Sequence, residues 1–262
     1  MGRTKKYLLS TRAKVLVSAR QLGIKVPKSL LQACDNLHNA LLIHDDIEDD
    51  ERYRAGKLAT WVRIGVPRAI NLGDLLLFDA LKIIAQQKPR SVPTVLKALL
   101  EIASGQADDL VGKKEFVQVA WRKTGLFKFL PLFTLSQDRP KWPSLLWKIA
   151  KPLGAAIQAG DDLKHMYRSY KDKGAAVSLK RKPSIFKKLG VAVNPSTRQQ
   201  VRNFQKNRLN AALKLLRTAK IPREDRIFIE TCMLLLVSHT LPSKMIPKVG
   251  RDGLFFLGSV SK

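Results

Sequence analysis

Apolar residues recur at steps of three and four through Leu30, Cys34, Leu37 and Leu41, and again over 72–84, 95–110, 145–163, 198–219 and 226–239. That is the period of a helix with one buried face, and the strict alternation of a half-buried strand is scarce. Proline, glycine and charge interrupt the pattern at 23–28, 55–58, 88–93, 139–143, 171–178 and 221–224. The pattern predicts an all-α bundle forming a single domain over residues 1–262. The first clear helix opens near Pro27-Lys28-Ser29, with Ser29 expected as its N-cap. No internal repeat of fixed period is present.

Composition narrows the class. With 45% apolar residues the chain can build a core, which excludes disorder, and 262 residues lie at the upper edge of what one core organises. No apolar run reaches the ~18 residues of a membrane-spanning helix. The basic start, Met1 to Lys6, leads into a stretch broken by Arg12 and Lys14, so no secretory signal is expected. Two isolated cysteines, Cys34 and Cys232, make neither a disulfide framework nor a zinc site, and a reducing, cytoplasmic location follows as the expectation.

The net charge of +27 is uneven: residues 1–34 carry eight Lys/Arg and no acid, and 139–223 carry 21 Lys/Arg against three acids. Anionic partners of three kinds fit: nucleic acid, lipid headgroups and phosphorylated substrates. Nucleic acid is not expected, because neither a binding motif nor aromatics interleaved with the basic residues are present. A basic surface that only solvates the protein is the alternative.

Against this background six of the 21 acids fall within seven positions: Asp45, Asp46, Glu48, Asp49, Asp50 and Glu51. The cluster lies toward the C-terminal end of its helix, where the macrodipole disfavours anions by ~0.3–1 kcal/mol each. Unit charges 4 Å apart repel by ~4 kcal/mol at an effective dielectric of ~20. A cation relieves both effects. Asp45 and Asp49, four apart on one helical face, can share a hard ion such as Mg²⁺; a solvated acidic helix end is the alternative. A second pair, Asp161-Asp162, shares a face with Gln158. Carboxylates on facing helices of a bundle can build a multi-metal centre.

At this point the chain resembles the trans-isoprenyl diphosphate synthases, the polyprenyl synthetase family. The stretch from Leu37 to Asp49, ending His44-Asp45-Asp46-Ile47-Glu48-Asp49, is similar to the family's first aspartate-rich motif. The likeness continues through Arg54-Ala55-Gly56, Thr60, Ala69-Ile70-Asn71-Leu72-Gly73-Asp74, Gly105-Gln106-Ala107-Asp108-Asp109-Leu110 and Lys123-Thr124-Gly125. It closes with Ile157-Gln158-Ala159-Gly160-Asp161-Asp162, in the place of the second motif. Order and spacing agree over roughly residues 20–185.

The resemblance implies an isoprenoid-synthase bundle around a central cavity, three Mg²⁺ ions with bound diphosphate, and a usual homodimer. The implied reaction ionises an allylic diphosphate, after which isopentenyl diphosphate attacks the cation to give a longer polyprenyl diphosphate. By the same resemblance Asp45, Asp49 and Asp161 ligate metal, with Asp46 and Asp162 auxiliary to them. Arg54 and Lys123 hold the allylic diphosphate, Thr124 and Gln158 lie near the cation, and His38 approaches the second substrate. Taken alone, Lys123 is a surface lysine and His38 a core histidine. Ala40 and Leu41, one turn before Asp45, are not aromatic, which favours a product of C20 or longer. Apolar products and a basic surface are compatible with peripheral membrane contact.

The chain also departs from the family. The basic segment that grips isopentenyl diphosphate reads Lys6-Tyr7-Leu8-Leu9-Ser10-Thr11-Arg12, and the second arginine after the first motif is Ala55. Lys164 and His165 stand where the second motif would end, and no aspartate lies within 178–182. Arg12, Lys14 or Arg52 are the cations that could replace those lost. The losses fall on the second substrate's residues, so two alternatives stand beside elongation: a class I terpene cyclase or lyase, and a weakly active partner subunit of a synthase.

Overall fold

The computed structural model describes residues 15–16, 19–112, 114–171, 184–192, 195–238 and 240. Arg12 and Lys14, the stretch 6–12, positions 178–182 and the basic end 243–262 lie outside the described residues. Helix α1 (Lys28–Glu48) buries Leu30, Ala33, Cys34, Leu37, Ala40 and Ile43, the three- and four-residue steps the sequence shows. Ser29 is not its N-cap. Pro27, with its φ fixed at −68°, caps the helix, and its carbonyl accepts from the Leu30 and Leu31 N–H groups. Ser29 instead accepts a hydrogen bond from the Gln87 amide.

After α1 the chain makes a small antiparallel hairpin, β1 (Tyr53–Arg54) and β2 (Lys57–Leu58). Its turn places Ala55 and Gly56 at φ +52° and +79°, the two-residue geometry that matches strand twist. A single turn, α2 (Thr60–Ile64), leads to α3 (Val66–Gln87), which packs along α1, and to α4 (Val92–Val111). Then come α5 (Phe116–Ala120), a π-helical turn (Trp121–Gly125) and α6 (Leu126–Thr134). The longest element, α7 (Trp142–Lys171), is followed by α8 (Ile185–Leu189), α9 (Arg198–Arg217) and α10 (Arg223–Val237). The all-α expectation holds, and α9 lies along α7 as α3 lies along α1.

At the base of the bundle the fully buried Trp142 stacks on Phe228, with ring centroids 5.7 Å apart. Its indole N–H donates to Asp225 at 2.9 Å, and Arg139 pairs with the same carboxylate at 3.1 Å. The first turn of α7 is thereby tied to α10. Higher up, α7 meets the π-helical turn backbone to backbone. A Cβ on Gly154 would lie 2.8 Å from the Ala120 carbonyl oxygen and from the Gly125 backbone. Nothing larger than glycine fits without moving main chain. Gly154→Ala is expected to cost about 1–3 kcal/mol in chemical denaturation, the range for overpacked sites, and to lower activity by displacing the turn that carries Lys123 and Thr124.

Candidate active site

Helix geometry brings the acids together. Asp45 and Asp46 lie in the last turn of α1 and Asp49 is its C-cap, so all three crowd the negative end of the helix dipole. The structure supplies the counter-charge from two neighbours. Arg54, on β1, donates from Nε to Asp46 at 2.6 Å and from a terminal nitrogen to Asp45 at 3.0 Å, and a second terminal contact reaches Asp46. Lys123, from the π-helical turn, lies 2.9 Å from Asp45 and 3.6 Å from Asp49.

A third acid joins them. Asp109, one turn from the end of α4, meets the Lys123 ammonium at 2.8 Å. Sequence reasoning gave it no role, although Asp108-Asp109 follows Gln106 as Asp161-Asp162 follows Gln158, one residue closer. Its neighbour Asp108 and Glu101 both bond Arg122, at 2.5 and 2.7 Å, and fix the π-helical turn against α4. Gly105 permits that approach, since a Cβ there would sit 2.8 Å from the Lys123 backbone nitrogen. π-helical turns of this kind are frequent at functional sites, and this one presents two successive polar side chains, Lys123 and Thr124, to the interior.

The charges respond to this packing. Burial alone would raise the Asp45 carboxyl, but Lys123 and then Arg54 outweigh it and hold it below the usual carboxylate range. Burial also opposes the charged form of Lys123, and Asp45, Asp109 and Asp49 together push its pKa up instead. For Asp46 burial wins over Arg54, with Asp45 and Asp49 adding to it, so its carboxyl is raised.

The second acidic pair stands behind a polar relay. The Thr124 hydroxyl donates to the Gln158 carbonyl at 2.6 Å, and the Gln158 amide donates to Asp162 at 2.8 Å. The other Asp162 oxygen accepts from the Ile185 N–H at 2.8 Å. Both oxygens of Asp162 are thus engaged within the protein and its side chain is buried, which suits the auxiliary role rather than direct ligation. Asp161 is the more open of the two and lies 3.9 Å from Lys164.

Burial pushes the Asp162 carboxyl up to about 7; the bonds from Ile185 and Gln158 act against the rise, and Asp161 and Asp109 add to it. In the unfolded chain this group ionises near pH ~4, so between the two values the folded state holds the extra proton. Its contribution to stability is therefore complete below about pH 4 and is lost as pH rises through 7. In chelator, Asp162→Asn is expected to gain roughly 2–4 kcal/mol relative to wild type between pH 5 and pH 8 in urea unfolding. A constant difference between the two proteins across that range would contradict the assignment.

His38 stacks on Phe127, centroids 4.7 Å apart and nearly parallel, in the wall below the acids. Ala40 is fully buried, and Leu41 packs against the core. Arg52 lies over the Trp61 ring, 5.7 Å from its centroid.

The donor set fits a hard divalent ion. Among the described residues no three His, Cys, Asp or Glu side chains are grouped so as to hold a metal ion by themselves. Mg²⁺ does not need such a group, because it keeps several waters and is held by one or two carboxylates together with phosphate oxygens. Asp45, Asp49 and Asp109 surround an ammonium at 2.8–3.6 Å, a spacing that leaves room for such shared ligation.

Comparison with known proteins places the chain in a family. A geranylgeranyl pyrophosphate synthase of Geoglobus acetivorans is 29% identical over 167 residues, covering 56% of this chain and 52% of the relative. Fusoxypene synthase of Fusarium oxysporum is 27% identical over 181 residues, covering 63% of this chain and 25% of its own. The chain spans about half the length of the first of these relatives and a quarter of the second. Among solved structures, the polyprenyl synthetase of Streptomyces coelicolor superposes with a TM-score of 0.67 at 18% identity, covering 88% of this chain and 84% of that one. That likeness shows a shared helical fold. The polyprenyl synthetase family model matches residues 6–215, about four-fifths of the sequence, and the chain belongs to that family.

Proposed function

We propose that this chain is a Mg²⁺-dependent trans-prenyltransferase, acting as one helical domain, that condenses isopentenyl diphosphate with an allylic diphosphate to give a polyprenyl diphosphate of C20 or longer. The observation that carries the reading is the meeting of Asp45, Asp49 and Asp109 at Lys123, beside the Thr124, Gln158 and Asp162 relay. Bound through Asp45, Asp49 and Asp161, the metal would supply charge stabilisation for the departing pyrophosphate. Arg54 and Lys123 would add positive charge where the allylic C–O bond breaks and its electron pair leaves with pyrophosphate. Thr124 and Gln158, held to one another by their hydrogen bond, would lie near the allylic cation. The isopentenyl double bond then attacks, and a proton is lost. The small side chain of Ala40, one turn before Asp45, is what supports the longer product.

The outward faces of α3 and α4 support a homodimer: Leu75, Phe78 and Leu100 are 62%, 65% and 70% exposed, and Leu96 and Leu110 extend the stripe along α4. Among the described residues no helix is long and apolar enough to cross a membrane. A cytoplasmic location with peripheral membrane contact belongs to the same proposal.

Two observations favour a second reading, ionisation without elongation. Ala55 occupies the hairpin turn where the family carries a second arginine for isopentenyl diphosphate, and Fusoxypene synthase is among the relatives. Purified protein with Mg²⁺, labelled isopentenyl diphosphate and geranyl, farnesyl or geranylgeranyl diphosphate decides between them. A longer diphosphate is expected. Hydrocarbon or alcohol from the allylic substrate alone would establish the second reading, and no product from any combination would overturn both.

A further inference from the structure

Three carboxylates converge on one ammonium that belongs to the chain itself. Lys123 Nζ lies 2.9 Å from Asp45, 2.8 Å from Asp109 and 3.6 Å from Asp49. The acids come from the ends of two different helices, and their side chains are only 21%, 9% and 12% exposed. Acids this close and this sheltered need a counter-charge at all times, not only when substrate is present. The backbone of Lys123 is immobilised by the close approach of Gly105, while its ammonium rides on a flexible four-carbon stem. The charge can therefore swing without moving a helix.

We infer that Lys123 is a tethered substitute cation that couples metal binding to diphosphate binding. Resting on the function proposed above, the inference adds an order of events to it. A divalent ion arriving alone has to displace the ammonium from Asp45, Asp49 and Asp109. A diphosphate offers the ammonium new oxygens and releases those carboxylates to the metal. The coupling is reciprocal, so metal in turn favours the position of Lys123 that binds diphosphate. The site is thereby guarded against filling with metal in the absence of substrate.

Calorimetric titration with Mg²⁺ alone, on wild type, Lys123→Met and Lys123→Arg, tests this. Lys123→Met is expected to bind Mg²⁺ at least tenfold more tightly than wild type, within the ~5- to 150-fold range of typical coupling. Lys123→Arg, which keeps the charge, is expected to stay within about threefold of wild type, a gap well inside that range. Equal or weaker Mg²⁺ binding by folded Lys123→Met overturns the inference. Should that variant fail to fold, ¹⁵N-lysine NMR of the wild type replaces it: the Lys123 ammonium signal is expected to shift on addition of inorganic pyrophosphate, and an unmoved signal at saturation overturns the inference. The product assay separates the two claims. Tightened Mg²⁺ binding in a chain that makes no prenyl product leaves the coupling standing and removes the function, and unchanged Mg²⁺ binding in an elongating enzyme does the reverse.

Discussion

Asp45→Ala is expected to lower turnover of any allylic diphosphate by at least ~10³-fold, equivalent to about 4 kcal/mol of transition-state stabilisation. Asp45 is the acid through which the whole site is connected: one oxygen faces Lys123 and the other faces Arg54. Its loss would remove the acid to which the proposal assigns metal ligation, and leave both cations to settle on Asp46, Asp49 and Asp109. The fold is expected to survive, because the truncation also relieves repulsion at the negative end of α1. Steady-state product formation with circular-dichroism melting checks both halves of the expectation. Full turnover in the variant would remove the metal assignment, and loss of helix in place of activity would mean that the acids are structural.

The second large effect concerns stability. Arg54→Met is expected to destabilise the protein by about 2 kcal/mol near neutral pH, less than the 3–5 kcal/mol of a fully enclosed pair because the guanidinium is partly solvated. The cause is Asp46, whose buried carboxylate has Arg54 as the cation at its side. Combining Arg54→Met with Asp46→Asn should recover most of the loss, and the coupling in such a double-mutant cycle measures the pair directly. Burial already raises the Asp46 carboxyl, and removing Arg54 raises it further, so the penalty should shrink as pH falls and the group takes up its proton. A penalty that is the same at pH 5 and pH 8 would place its origin in packing instead.

How much was legible in the sequence differs from element to element. α1, α3, α4 and α9 show clean periodicity because each buries one face only, whereas α7 and α10 are buried on most sides and are marked by the length of their apolar runs between breaks. The segment from Phe116 to Thr134 carried no such signal: Phe129, Leu130, Leu132 and Phe133 are all buried, so apolar residues run almost without a break and no period survives. Ser29 was expected as a cap by residue type, yet Pro27 had already set the helix start through its fixed φ. The site was legible where acids cluster in sequence, at Asp45 to Asp49 and at Asp161-Asp162. Asp109 was not assigned, since its partner Lys123 is fourteen residues away and only the packing of the π-helical turn against α4 joins them. The relay through Gln158 follows from helical spacing, but the link from Ile185 to Asp162 depends on the position of α8 and leaves no trace in local pattern.

The two ends of the long helix α7 are secured by different forces. Its foot is fastened chiefly by stacked, solvent-free rings, with a single ion pair from Arg139 to Asp225 beside them. About 29 Å away, at the ~1.5 Å rise per residue of a helix, its upper part borders a mouth whose walls are drawn together by opposite charges. Ionic strength and divalent ions therefore act as a throttle mainly on the upper end, loosening or tightening the entrance while the apolar foundation largely keeps its shape.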